Sequence, residues 1–319
     1  MASPFDSSLP VVPEVPPLPA WANENISVSQ TDRVFSAGAR LAAVSALLRA
    51  EPPYLGALSE RLAFQAAAAT NRSSGRPEDE DEIRDQWLLR PREEDLPQAA
   101  QTLACWLRLP RQQGGIQALR PDVIEALAEG FGRPLSAPVE DILRSVQSGV
   151  RHASNPVEAA ARASAAFFRQ EPRHEAIAHF LSDVVLAERL GWRRPLPLLA
   201  LSVAAPVLRA GGVRRRPLPD DPDWEFAVFG AYALSASRAY QLASYLSGKA
   251  MSLVQIAPKL RAKRSDKVVE ALLSHAFLPG SRSIAGMTDR GMRRIFDRLV
   301  AMGVVREVSG RATFRIYGL

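Results

Sequence analysis

Apolar residues recur three and four positions apart along nearly all of this 319-residue chain, and this spacing constrains the fold more than any other feature. Residues at that spacing share one face of an α-helix, whereas a half-buried strand requires strict alternation. Alanine and leucine dominate the apolar residues, while β-branched and aromatic residues are fewer. We therefore predict a mainly α protein in which a multi-helix N-terminal body carries at least one smaller module.

The first 20 residues contain six prolines. Proline lacks an N–H and has a fixed φ, so this density is incompatible with a helix and disfavours strand pairing. We predict that residues 1–20 form a proline-rich disordered arm and that an all-α helical body spans residues 21–258. We expect that body to mediate self-association or to bind a protein partner.

Proline and glycine separate the predicted helices of the body. Asn155 followed by Pro156 and Glu158 is typical of a helix start, because asparagine caps and proline tolerates the first helical position. The apolar segment Leu196–Leu208 is interpreted as a buried helix despite its internal proline. Two further helices, one over Asp223–Ser247 and a shorter one ending at Leu260, are predicted to complete the body.

Net charge is concentrated at the C-terminal end of the chain. Residues 259–319 hold 13 Lys and Arg against five Asp and Glu, a net charge of +8, whereas the remainder carries −2 of the total +6. A basic segment attached to a nearly neutral body is typical of a module that binds a polyanion.

The same segment has the pattern of a winged helix-turn-helix over residues 259–319. A helix is predicted to begin at Ser265 and end near His275, followed by a broken stretch with room for only a short helix around Arg282–Ala285. Thr288 then caps a helix that ends at Gly303. Its apolar residues fall at the spacing of one buried face: Met292, Ile295, Phe296, Leu299 and Val300.

The last residues predict a β-hairpin, the wing of such a fold. Val304–Val308 and Ala312–Tyr317 alternate in polarity and are joined by a turn that contains Gly310. In this interpretation Phe314 and Ile316 face the core. Thr313, Arg315 and Tyr317 then face outward, and Arg311 lies at the tip of the turn.

A recognition helix enters the major groove and a wing contacts the backbone or the minor groove, so basic side chains on both are candidates for DNA contact. The predicted DNA-binding residues are Thr288, Arg290, Arg293, Arg294, Arg298, Arg311, Arg315, Lys263 and Arg264. The last two belong to a basic segment before the module that either clamps the DNA backbone or serves as a solubilising linker.

No motif in the chain indicates an enzyme. His174 and His179 are five residues apart, about 140° around a helix, so they cannot share one metal as an i, i+4 pair does. The single cysteine, Cys105, lies in an apolar context typical of a buried residue. The acidic run Glu78–Glu82 suits the first turn of a helix better than a metal site. Phosphate-loop, dinucleotide-binding and nucleophile-elbow motifs do not occur, so we predict a non-enzymatic protein with no cofactor and no metal.

Several segments resemble one bacterial family, domain-of-unknown-function family 1403. They are Phe35–Ala42, Glu78–Asp85, Leu190–Ala200, Asp289–Arg294 and Gly310–Leu319. The resemblance extends over nearly all the chain after the proline arm. It implies a family often carried on plasmids, with no established activity and no catalytic residues.

The sequence therefore predicts a protein that binds double-stranded DNA through its C-terminal winged helix, as a regulator or as a plasmid maintenance factor. The alternative is an adaptor subunit whose winged helix docks a protein in a chromosome- or plasmid-organising complex. No apolar run reaches the roughly 18 residues that a membrane helix needs, and no signal peptide is recognisable, so a cytoplasmic protein without membrane association is expected.

Overall fold

The computed structural model describes residues 9–23, 29–90, 95–209, 215–260, 264–284 and 286–319. These residues form thirteen α-helices and one small sheet of three strands, which confirms the prediction of a mainly α protein. None of the helices in these ranges combines the length and the apolar character that crossing a membrane requires.

Eleven of the helices belong to the body: α1 (Ala20–Asn23), α2 (Gln30–Arg49), α3 (Leu55–Ser73), α4 (Glu80–Leu88), α5 (Gln98–Trp106), α6 (Pro121–Gly130), α7 (Val139–Val150), α8 (Pro156–Gln170), α9 (Glu175–Leu190), α10 (Leu199–Ser202) and α11 (Trp224–Ile256). The C-terminal unit, residues 264–284 and 286–319, contains the other elements: α12 (Ser265–Ser274), β1 (Leu278–Pro279), α13 (Asp289–Ala301), β2 (Arg306–Glu307) and β3 (Ile316–Gly318).

The longest helix of the described chain, α11, runs through 33 residues and packs along α2 and α8. The prediction of two helices, one ending at Ser247, was wrong. An internal glycine such as Gly248 costs a helix only about 1 kcal/mol relative to alanine. Residues on both sides of Gly248 are buried, among them Leu246 and Ala250, so packing outweighs that cost and the helix continues.

The predicted helix over Leu196–Leu208 was wrong for most of its length. Only α10 is α-helical there, and Pro206–Leu208 forms a single 3-10 turn. A residue of another helix stabilises the start of α10: the buried carboxyl group of Asp183 on α9 accepts the N–H groups of Leu198 and Leu199 at 2.9 and 3.1 Å.

The described part of the proline arm, residues 9–19, is extended but packed against the body. Val15 is buried, and its carbonyl oxygen accepts a hydrogen bond from the Ser244 hydroxyl at 3.1 Å. The Pro13 carbonyl accepts another from the Ser247 hydroxyl at 2.7 Å. The prediction of a disordered arm was therefore wrong for these residues, because α11 supplies the donors that an isolated polyproline segment lacks. Residues 1–8 lie outside the described ranges.

The buried residues of the C-terminal unit belong to the same hydrophobic core as those of the body. Its strands are antiparallel in the order β1-β3-β2, with Leu278 opposite Tyr317 and Arg306 opposite Gly318. The ring of Tyr317 stacks on Phe296 of α13, with centroids 4.1 Å apart. The short helix predicted around Arg282–Ala285 is absent from residues 282–284, which are irregular, and residue 285 lies outside the described ranges.

The hairpin departs from the predicted alternation at one residue. Phe314 has a φ of 56°, in the left-handed region that phenylalanine rarely adopts, and its side chain is 66% exposed. The regular strand therefore begins only at Ile316. Ile316 is buried as predicted, but the assignment of Phe314 to the core and of Tyr317 to the surface was wrong, since a break in the extended backbone changes which residues face inward.

The C-terminal unit is fixed to α3 of the body by polar and aromatic contacts. The Glu60 carboxylate binds His275 Nδ1 and accepts the Ala276 N–H, both at 2.8 Å. Phe64 meets Phe277 edge to face, with centroids 5.2 Å apart. Gly56 lies directly against the Ser274 carbonyl oxygen, so α3 and the end of α12 approach as closely as the backbones allow.

Candidate nucleic-acid interface

Helix α13 begins with a side-chain cap and buries one face. The Thr288 hydroxyl accepts the Gly291 N–H at 3.2 Å, which fixes the first turn. The buried face then consists of Met292, Ile295, Phe296 and Leu299. Val300 was predicted to join them, but it is 38% exposed at the edge of the stripe.

The four arginines of α13 all lie outside that buried stripe and are exposed. At about 100° per residue, Arg290 and Arg294 lie opposite the stripe, and Arg293 and Arg298 flank them. Among the described residues, none of the four has an ion pair or a side-chain hydrogen bond. Like charges at i, i+4 destabilise a helix by a few tenths of a kcal/mol per pair, so this face is not arranged for stability.

Two aspartates moderate the positive charge of the helix. Asp289 complements the positive end of the helix dipole, in the first turn. Asp297 lies one turn after Arg293, and its Oδ1 is 3.7 Å from Nη1 of Arg315 in the hairpin. With four arginines and two aspartates, α13 still carries a net charge of +2.

The turn of the hairpin holds Arg311 against the body. The Glu307 carboxylate accepts the N–H groups of Ser309 and Gly310 at 2.8 and 3.2 Å, which shapes the turn. Arg311 then donates to Asp85 of α4 at 2.6 Å. Arg311 thus lies on the hairpin as predicted, but it is engaged by a carboxylate that any polyanion would have to displace.

A groove of about 450 Å³ separates α13 from the hairpin. Arg293 and Asp297 line it on the helix side, and Phe314 and Arg315 line it on the hairpin side. Sequence reasoning missed Phe314 as a surface residue, because the alternating pattern assigns it to the core and nothing in the sequence marks its left-handed backbone.

Of the two basic residues predicted before α12, the structure describes only Arg264. Lys263 lies outside the described residues. Arg264 is exposed and has a left-handed backbone with a φ of 68°, directly before α12. Its guanidinium lies next to Gly286 and takes part in an interaction within the protein, so Arg264 is not a free cation.

Cys105, His174 and the acidic run at the start of α4 have structural roles. Burial raises the pKa of the Cys105 thiol to about 12, which leaves it protonated and poorly nucleophilic at neutral pH. His174 Nε2 lies 3.1 Å from the Pro134 carbonyl oxygen. Asp79 and Glu82 form a reciprocal capping box at the start of α4, with bonds of 2.9 and 3.0 Å, which accounts for part of the acidic run.

In the ranges that the structure describes, no three His, Cys, Asp or Glu side chains are grouped closely enough to hold a metal ion. Comparison with curated proteins gives no match. A family model described as "Protein of unknown function (DUF1403)" matches residues 8–319, nearly the whole chain. The resemblance expected from the sequence is therefore confirmed, and this chain belongs to the DUF1403 family.

Proposed function

We propose that this protein binds duplex DNA through its C-terminal unit, with α13 as the recognition helix and the hairpin as the wing of a winged helix-turn-helix. The order of helix, strand, helix and two paired strands supports this interpretation. The irregular residues 282–284 replace the usual second helix and are a departure from the motif.

The four exposed arginines of α13 carry the proposal. A stable surface helix generally alternates or pairs its charges, whereas Arg290, Arg294 and Arg298 repeat the same charge at i, i+4 spacing without a partner among the described residues. Arginine donates up to five hydrogen bonds to phosphates and to the guanine edge. A polyanion placed along this face would relieve the repulsion and satisfy the donors.

The proposal is tested by fluorescence anisotropy of the full-length protein on a short random-sequence duplex at several salt concentrations. We expect the Arg290→Gln/Arg294→Gln variant to bind about tenfold more weakly than wild type. The slope of log K against log salt should also become less steep, by about one for each phosphate that the variant no longer neutralises.

The matched control removes two exposed arginines from the body, one in α7 and one directly after it, in the variant Arg144→Gln/Arg151→Gln. Its affinity and salt slope should equal those of wild type. Equal binding by both double variants, or no binding by wild type at low salt, would contradict the proposal.

The exposed ring of Phe314 favours a second candidate function, in which the groove beside the hairpin docks a protein and the chain acts as an adaptor. Phe314 is 66% exposed and lines the groove together with Arg315, and aromatic residues and arginine are enriched at protein interfaces. The variant Phe314→Ser tests this function. If the variant still binds DNA but loses a co-purifying protein, Phe314 serves the adaptor function and not DNA binding.

A further inference from the structure

A second cluster of arginines surrounds a cavity of about 280 Å³ that lies wholly within the body. Its walls are the end of α3 with the residues after it, the loop after α6, the start of α9 with the residues before it, and the segment after α10. Each of these four segments contributes one arginine to the lining: Arg76, Arg133, Arg173 and Arg216.

The charges of this lining are not balanced. Its single carboxylate, that of Glu175, is bound by both terminal nitrogens of Arg216. Arg76 donates to the neutral side-chain oxygen of Asn71 at 3.2 Å. Arg133 and Arg173 are exposed and have no side-chain partner in the described part of the chain. Three arginines therefore face this cavity without a carboxylate.

The first turn of α9 adds uncharged donors at the same place. Ala176 lines the cavity, and the backbone N–H groups of Glu175 and Ala176 have no acceptor among the described residues. The exposed N–H groups and the dipole of a helix N-terminus favour an anion. Ser73 and Ser74 also line the cavity, and their hydroxyls are further donors.

His179 brings a buried polar atom without a hydrogen-bond partner to this cavity. Its ring is 6% exposed, is stacked on Trp224 with centroids 6.1 Å apart, and lines the cavity. Nε2 makes no hydrogen bond and lies 3.4 Å from a Glu175 oxygen that Arg216 already occupies. Buried polar atoms are nearly always hydrogen-bonded, to protein or to ordered water, so the unpartnered Nε2 is available to a molecule bound in the cavity.

We propose that this cavity binds a small phosphate monoester, with its phosphate held by Arg133, Arg173 and the N-terminus of α9. Arginine matches the tetrahedral oxygens of phosphate with paired N–H donors, and the helix N-terminus supplies backbone donors. The volume is close to the lower end of the range for small-molecule pockets, about 300 Å³, so the organic part must be short. This site is independent of the DNA-binding proposal, since α13 contributes nothing to it.

The test titrates inorganic phosphate against the full-length protein, with chloride at matched ionic strength as the reference. A ligand that binds only the folded protein raises its melting temperature in a saturable manner. We expect phosphate to do so for wild type and to bind the Arg133→Gln/Arg173→Gln variant about tenfold more weakly. The Arg144→Gln/Arg151→Gln variant is the control and should respond as wild type does.

Histidine NMR provides a readout that does not depend on the arginine variants. The ring resonance of His179, assigned with the variant His179→Gln, should shift with phosphate and saturate at the same concentration as the melting temperature. An unshifted His179 resonance, or an undiminished response of the Arg133→Gln/Arg173→Gln variant, would overturn the proposal, because phosphate would then act elsewhere. A wild-type response to phosphate no larger than that to chloride would overturn it as well.

Discussion

Charged groups in the core of the body and charged groups on α13 have opposite surroundings. Asp183 is 1% exposed and is surrounded by donors from three residues, whereas the α13 arginines are exposed and have no partner in the described chain. Burying a polar group without hydrogen bonds is costly, and the Asp183 carboxyl is accordingly surrounded by donors. The difference teaches that ionisable groups in the core of the body serve folding, while exposed arginines such as those of α13 are available for a ligand.

Arg84 of the body and Arg311 of the hairpin pair with the same residue, Asp85. Arg84 is 4% exposed and pairs with Asp81 and Asp85 at 2.6 and 2.9 Å. Arg311 also pairs with Asp85, but from the hairpin and with half of its side chain exposed. One carboxylate thus connects a structural arginine with a candidate DNA contact.

The largest expected effect is on stability, from the variant Asp183→Ala. It removes the acceptor of two buried N–H groups, those of Leu198 and Leu199, and of the Tyr232 hydroxyl. Leaving such groups unsatisfied costs about 1–3 kcal/mol each before relaxation, so we expect a loss of roughly 3 kcal/mol. Urea denaturation measures this loss, while DNA binding of the folded variant should be unchanged. A loss of unfolding free energy no larger than that of an ordinary surface substitution would contradict the claim that Asp183 serves folding.

The variant Asp183→Asn tests the protonation of the same group. Burial raises the pKa of Asp183 well above its ordinary value, so the unfolded chain releases this proton at a lower pH than the folded chain. The stability that Asp183 contributes therefore falls as pH rises above about 4, by at most about 1.4 kcal/mol per pH unit, until the folded carboxyl ionises.

The Asn side chain resembles the protonated acid and does not titrate. The difference in unfolding free energy between wild type and Asp183→Asn should therefore shift in favour of the variant as pH rises from 4. A pH-independent difference would show that Asp183 has an unshifted pKa in the folded protein.

The smallest effect is expected for Arg311→Gln, measured as affinity for duplex DNA. Arg311 must leave Asp85 before it contacts phosphate, so its net contribution is reduced by the pair that it breaks. We expect a two- to threefold loss, on the order of 0.5 kcal/mol, with Arg311→Lys in between. A loss as large as that of Arg290→Gln/Arg294→Gln would place the hairpin, rather than α13, at the centre of the interface.

Helix periodicity predicted α13 well because its buried residues repeat with one period and its ends carry clear signals, Thr288 and Gly303. The same reasoning failed at Phe314, where a single left-handed residue changes the direction of the following side chains. It also missed β1, since a strand of two residues that includes Pro279 has no alternation to detect.

The tertiary sites were not predictable from one sequence. Arg133 and Arg173 are 40 residues apart and become neighbours of one cavity only because α6 and α9 pack together. The contact of Arg311 with Asp85 spans 226 residues and reduces the availability of a residue that the sequence predicts to be free. The sequence identifies which residues are charged. Tertiary packing determines which of them pair with an opposite charge and which stay exposed and unpaired.

Placement of α13 on DNA is tested most directly by cleavage from a tethered hydroxyl-radical probe. The only native cysteine, Cys105, is buried with a pKa of about 12, so a probe should attach only to an introduced cysteine. Asp297→Cys places the probe on the exposed side of α13, and Ser148→Cys places it on α7 of the body. We predict salt-sensitive cleavage of bound duplex from the α13 position and none from α7. Cleavage from α7, or from neither position while the protein is bound, would contradict the assignment of α13 as the DNA-binding helix.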